Sequence, residues 1–263
     1  MVFVFNGKEY VVTEYTIEAS SGRLVFKFNE TFPQLMQDNI EAYVYAETAV
    51  GEYSRNCILE YSVMQYIVNQ LKKNDAALTT VMSDILYMGA MTQLKQNYKT
   101  DALVTDVVEA MGYTLTPTAF TSIPSDVNVQ AVTGDRTTGI DWKSGSLAMG
   151  ASTEVILKFA ADDIEGLVAK IEIAGETYEY NVAELPMEDG RYVIYFDKVR
   201  SYEYDEVITA TFEKNGEQVG STLTYSINTF LYRNYESAKY GDADKNLMKA
   251  LYTYGVSIAK YFA

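Results

Sequence analysis

The chain has no histidine and one cysteine, Cys57, among its 263 residues. The missing imidazole removes the usual general base near neutral pH and the commonest transition-metal ligand. A single thiol cannot close an intrachain disulfide, so the fold must stand on its core. Positive charge is also scarce: 21 Lys and Arg face 36 Asp and Glu, a net charge of −15. That balance argues against nucleic acid, whose phosphates need a basic face, and against anionic membrane surfaces. The acidic residues are dispersed, which reads as a solvated exterior. No apolar run reaches the roughly 18 residues of a membrane span. Met1–Phe5 is not followed by the long apolar stretch of a signal peptide, and the sequence reads as a mature or excised piece.

What is present is tyrosine. There are 23 against one tryptophan, in a chain that is 48% apolar. Tyrosine suits strands and half-wet surfaces, where a flat ring is covered and the hydroxyl stays wet. The length is comfortable for two domains, and self-similarity divides it. VFVFNGKEYVV near the start matches AKIEIAGETYEYNV from Ala169, so that Gly7 falls on Gly175 and Tyr10 on Tyr178. Gly22-Arg23 falls on Gly190-Arg191, Phe28 on Phe196, and Leu59, Tyr61 and Ser62 on Leu223, Tyr225 and Ser226. The match runs on into helix, with Met82, Ile85, Met88 and Gly89 on Met248, Leu251, Tyr254 and Gly255. Such recurrence in one order is the signature of a duplicated module.

Within each copy, alternation marks strands: Tyr192, Ile194 and Phe196 point one way, Val193 and Tyr195 the other. Asn6-Gly7 and Asn215-Gly216 each sit between apolar runs and predict two-residue hairpin turns. The expected fold is α+β: a tandem repeat of antiparallel, Ig-like β-sandwich sheets, each followed by an α-helical hairpin. The first module covers 1–115, with sheet at 1–61 and helical hairpin at 62–100. A linker covers 116–139; it is longer than ordinary loops, so strand within it or a course along a surface is expected. The second module covers 140–263, with sheet at 140–225 and helical hairpin at 226–263. In the last helix Leu247, Leu251, Tyr254 and Ile258 form one buried stripe, and Asp242 and Asp244 are expected to cap it and to favour its positive end. Gly255 costs about 1 kcal/mol relative to alanine in mid-helix, and close approach of the partner helix is the expected reason. The strands around SLAMG and STEVILKFAAD have no counterpart before Val2. The first module is therefore expected to be N-terminally incomplete, its edge either completed by a neighbouring chain or hidden by the linker.

The stretches LEYS…YI and MSDILYMGAMTQL, with LTYS…FLY and LMKALYTYGVSIAKYF, resemble a repeated module of large secreted or cell-surface proteins of gut Clostridia. Those modules read YSV…Y and then a helix near LVKALLNYGAAAQTYF. The resemblance covers nearly the whole chain, twice over. It implies an extracellular or bacterial cell-surface location, a small β-rich domain with a helical hairpin, and neighbouring carbohydrate-active or adhesive domains. It supplies no catalytic set. Met88 departs from the pattern's tyrosine.

Candidate chemistry is thin. Ser257-Ile258-Ala259-Lys260 matches S-x-x-K, but the K-T-G element that accompanies it in penicillin-recognising enzymes does not occur. Cys57 lacks a histidine to activate it and aligns with Ser221, a strand position. Gly241–Asn246 opens like a calcium loop and then departs from it, with Leu247 at the turn glycine and Thr253 at the acidic twelfth position. Glu203, Asp205 and Glu206 could serve as a glycosidase pair only if two of them faced each other across a cleft. No phosphate-binding glycine loop is present. The expectation is therefore a non-catalytic module with no cofactor and no metal. It would bind a protein, with a host secreted glycoprotein as one candidate, or mediate adhesion. The alternative is a carbohydrate-binding accessory module of a secreted glycan-degrading protein. The candidate contact residues are Tyr195, Arg200, Tyr202 and Tyr204, because tyrosine and arginine dominate contact hot spots.

Overall fold

In a computed structural model the chain is α+β, with antiparallel sheets and five α-helices among the described residues, which are 1–49, 52–149 and 153–263; side chains are described outside 46–58. It divides into two compact units, Met1–Thr116 and Pro117–Ala263.

The first unit opens with β1 (Val2–Phe5) and β2 (Lys8–Val11), joined by Asn6-Gly7. Both turn residues have positive φ, 50° and 74°, the geometry that matches the right-handed twist of a hairpin. A small ribbon follows, β3 (Thr16–Ile17) with β4 (Leu24–Val25), then a 3-10 turn at Pro33–Leu35. The long hairpin β5 (Ile40–Ala49) and β6 (Glu52–Tyr61) completes an antiparallel sheet in the order β2-β1-β5-β6. Helices α1 (Val63–Leu71), α2 (Ala76–Gln96) and α3 (Val104–Ala110) close the unit. Ser62 starts α1 with a full capping box: its hydroxyl accepts from the Gln65 N–H, and the Gln65 side chain accepts from the Ser62 N–H. The helix α3 is not foreseen by the repeat. Its N-cap, Leu103, has no side-chain acceptor, and the buried Gln93 of α2 takes over by accepting from the Val104 N–H at 2.8 Å.

The second unit holds β7 (Ala131–Gly134), β8 (Ile140–Met149), β9 (Thr153–Ala161), β10 (Leu167–Ile173) and β11 (Glu176–Asn181). These are followed by β12 (Met187–Glu188), β13 (Arg191–Phe196), a 3-10 turn at Ser201–Glu203, β14 (Ile208–Lys214) and β15 (Glu217–Tyr225). Helices α4 (Ile227–Asn234) and α5 (Asp242–Phe262) end it. One sheet runs β11-β10-β14-β15-β7 and the other β12-β13-β9-β8, all pairs antiparallel. The two sheets share a core. Trp142 of β8, fully buried, stacks on Phe212 of β14 with centroids 4.5 Å apart, and Phe159 of β9 meets both rings edge-on. Stacked and edge-to-face pairs of this kind add to what burial alone contributes.

Three sequence expectations meet a different arrangement. The linker holds the strand its length suggests but is part of the second unit: residues 117–139 belong there, where β7 pairs with β15 and Thr229 both accepts from the Val129 N–H and donates to the Val127 carbonyl. It covers the edge of β15 and leaves β6 without an outer neighbour among the described residues. Asp242 and Asp244 do not cap α5. The N-cap is Gly241, and both acids lie inside the first turn, where they favour the positive end of the helix as expected. Finally, Gly255 is not there for the partner helix. A Cβ at Gly255 would lie 2.9 Å from Cδ2 of Tyr204, the residue that ends the preceding 3-10 turn.

Several details recur between the units. The sheet order β2-β1-β5-β6 reappears as β11-β10-β14-β15. Ser226 caps α4 as Ser62 caps α1, its hydroxyl accepting from the Thr229 N–H. The Met64 N–H donates to the Met36 carbonyl at 2.8 Å, and the Asn228 N–H to the Tyr204 carbonyl at 2.9 Å. Each bond occupies one of the N–H groups that the first turn of a helix leaves unpaired. Phe28 meets Tyr10 at 5.2 Å and 72°, and Phe196 meets Tyr178 at 5.2 Å and 72°. A Cβ at Gly89 would meet Met36 Sδ at 2.7 Å, as one at Gly255 would meet Tyr204.

Candidate functional site

The four contact candidates divide. Tyr204 is buried, with 7% of its surface exposed, and its ring lies under Gly255. Burial pushes its phenol up to about 12. It is a core residue and has no face to offer a partner, which corrects its place among the contact residues. Tyr195 is exposed on β13, where its hydroxyl donates to Glu188 of β12 and Lys158 pairs with the same carboxylate at 2.8 Å. Among the aromatic side chains of β8, β9, β12 and β13, Tyr195 alone is exposed.

Arg200 and Tyr202 do come together. The 3-10 turn fixes both. Arg200 precedes it, and the Glu203 carboxylate accepts from the Arg200 N–H at 2.9 Å, holding the turn closed. The guanidinium then donates to the Tyr202 hydroxyl at 3.1 Å and sits 6.0 Å from its ring centroid. It also reaches Glu176, at the start of β11, at 3.2 Å. The Tyr178 hydroxyl and, behind it, this guanidinium hold the Glu176 carboxyl below the usual carboxylate range. From the other side Phe262, near the end of α5, tilts against Tyr202 at 5.6 Å, and Tyr261 lies 5.5 Å from Phe262. All three rings are exposed. The result is a small aromatic surface with a guanidinium at one margin. Glu176, Tyr261 and Phe262 are its unpredicted members. The sequence showed the two C-terminal rings only as the tail of a packing helix, and the long-range approach of β11 left no local mark.

Two of the reactive candidates, Ser257 and Glu203, are held in structural bonds. The Ser257 hydroxyl donates to the Tyr254 carbonyl at 3.1 Å, the back-bond typical of serine inside a helix. Lys260 is exposed at the last turn. Glu203 is buried and tied to Arg200, while Asp205 and Glu206 are exposed on the loop before β14. Cys57 lies in β6 opposite Val44; its side chain lies outside the described residues. Among the described residues no three His, Cys, Asp or Glu side chains gather as a metal site, and no helix is long and apolar enough to cross a membrane.

The strongest electrostatic cluster is structural in geometry. Asp141 of β8 is buried; Arg136 grips it through two bonds of 2.9 Å, Lys143 Nζ lies at 2.7 Å and the Ser221 hydroxyl donates at 2.8 Å. Arg136 above all holds the Asp141 carboxyl well below the usual range. Ser221 Oγ in turn accepts from the Trp142 N–H at 2.8 Å, so the cluster stitches β8 to β15. Compared with family models, with characterised proteins and with solved structures, the chain matches none.

Proposed function

We propose that the chain is a tandem pair of related β-sandwich modules, each carrying a helical hairpin, with a non-catalytic binding role on the outside of a bacterial cell. The recurring sheet order, the paired serine caps, the matched carbonyl bonds to Met36 and Tyr204 and the matched glycine contacts support descent from one unit. The extracellular setting rests on the resemblance to clostridial surface modules, whose shared motifs are packing motifs.

The observation that carries the binding role is the exposed cluster of Arg200, Tyr202 and Phe262. An aromatic pair beside a guanidinium gives contact area at low entropic cost and is the composition of interface hot spots. A protein or glycoprotein is the favoured partner. A sugar-binding face would set several exposed aromatics along one sheet, and on β8, β9, β12 and β13 only Tyr195 is exposed.

The test is capture from intestinal secretions by the immobilised chain and by an Arg200→Ala/Tyr202→Ala double variant, with a glycan array in parallel. The reading expects a defined protein retained by the parent chain and lost from the variant. A sugar signal on the array without a retained protein would favour the carbohydrate-binding alternative. Equal capture by both chains would remove the cluster from the account.

A further inference from the structure

The first unit lacks a cover that the second unit possesses. Through the register, Val44, Leu59 and Tyr61 hold the positions of Phe212, Leu223 and Tyr225. In the second unit these three are fully or almost fully buried, because β8 and β9 lie across them. Trp142 stacks on Phe212, and Gly145 of β8 passes so close to the Tyr225 ring that a Cβ there would fall 2.7 Å from Cδ2. In the first unit Val44 is 39% exposed and Leu59 is 59% exposed, and Tyr66 of α1 is 49% exposed beside them. Between Phe3, Phe28, Ala42, Leu59, Tyr61 and Tyr66 runs an open groove of about 320 Å³. The outer edge differs in the same sense: β15 is paired by β7, and β6 has no outer partner among the described residues.

The β7 strand and the β8–β9 hairpin, within residues 131–161, therefore have no equivalent among the described residues of the first unit. Face and edge are open for the same reason. A contiguous apolar face beside an unpaired strand edge is the surface on which strand addition works: main-chain bonds along the edge and side chains in alternate pockets.

We infer that the open face and edge of the β2-β1-β5-β6 sheet are a docking site for a β-hairpin of the β8–β9 kind, supplied from outside residues 1–263. The occupant is specified by the copy that is already covered. Its first strand carries an aromatic that lands on Val44 and a glycine that passes over Tyr61. Its second strand alternates apolar residues in the manner of Val155, Leu157 and Phe159, all fully buried where they stand. A short strand ahead of the hairpin pairs with β6 as β7 pairs with β15. The inference rests on the reading of the two units as copies and is independent of the Arg200–Tyr202 cluster.

The probe is a labelled peptide spanning residues 131–161, titrated into the full chain and followed by anisotropy. The expected result is saturable one-to-one binding, weakened at least tenfold by Leu59→Glu, a change at an exposed position. Because an isolated hairpin folds poorly in water, a second arm joins the same 31 residues to Met1 through a flexible Gly/Ser linker. This raises the local concentration of the segment to about millimolar. The joined chain is expected to unfold at a higher temperature than the parent, and Leu59→Glu is expected to cancel the rise. Binding that ignores Leu59→Glu would mean exchange with the chain's own hairpin and would overturn the assignment. Dimerisation of the parent chain through Leu59, read by light scattering, would give the face to a second copy and overturn it equally. No binding together with no stabilisation would also overturn it. In that event the copy reading still stands or falls separately, on whether the first and second units superpose in an experimental structure.

Discussion

Tyr204 occupies the space that a side chain on Gly255 would need: a Cβ there would fall 2.9 Å from Cδ2 and 3.4 Å from Cβ of the tyrosine. The mid-helix glycine is thus set by a ring that enters from a 3-10 turn about fifty residues earlier in the chain. Gly89 stands in the same relation to Met36, but its nearest atom is a flexible thioether. Alanine should therefore act differently at the two sites. Gly255→Ala gains about 1 kcal/mol of helix propensity and loses about 1–3 kcal/mol to overpacking against a confined ring, for a net loss. Gly89→Ala meets a movable methionine but also the Pro33 carbonyl oxygen at 3.2 Å, and should cost less than Gly255→Ala, about 0–2 kcal/mol by the same two effects. Thermal midpoints of the two variants check the order.

The turn between β10 and β11 is built like the two Asn-Gly turns but with Ala174 at φ 49° beside Gly175 at φ 80°. Alanine in the left-handed region costs roughly 1 kcal/mol, a cost that asparagine largely avoids by local hydrogen bonding. Ala174→Asn should stabilise the second unit by about 0.5–1 kcal/mol. A lower midpoint in denaturant would contradict this.

Asp141 sets an acid limit. Its folded pKa is depressed, chiefly by Arg136, so its contribution to stability is full above the unfolded carboxyl pKa of about 3.9 and is lost as pH falls toward the folded value. Asp141→Asn keeps the acceptor for Ser221 and gives up the ion pairs. At pH 7 it should cost about 1–3 kcal/mol, the scale of hydrogen bonds to a charged group. The difference in stability between parent and variant should narrow below about pH 4. Parallel pH profiles of the unfolding midpoint test it.

Tyr202 and Tyr204 are two residues apart and should part company under mutation. Tyr204→Ala empties a buried site and should cost about 3–5 kcal/mol. Tyr202→Ala and Arg200→Ala remove exposed groups and should change stability by less than about 1 kcal/mol. The two exposed substitutions, and not a destabilised Tyr204 variant, are the informative ones for partner capture.

The sequence carried those features that are written locally. Asn6-Gly7 and Asn215-Gly216 mark hairpins because both residues tolerate positive φ, and Ser62 and Ser226 mark helix starts because a serine hydroxyl can accept from the N–H groups of the first turn. Ala174-Gly175 hid the same turn behind a residue that disfavours it. Features that depend on remote partners were not legible. Tyr202 and Tyr204 straddle a 3-10 turn, where neither strand nor α-helix periodicity predicts which ring turns inward. The pairing of β7 with β15, which makes the connector part of the second unit, leaves only four residues of weak strand pattern. The Arg200 cluster needs β11, the 3-10 turn and the end of α5 in one place, and only the first two of its final members could be named from the sequence stretch that holds them.

Hydrogen exchange on the full chain tests most directly that two related sheets are present, one covered and one open. The account predicts slow exchange along β15, bounded by β14 and β7, and markedly faster exchange along β6, whose one neighbour among the described residues is β5. Protection of β6 equal to that of β15, in the chain without added peptide, would contradict it.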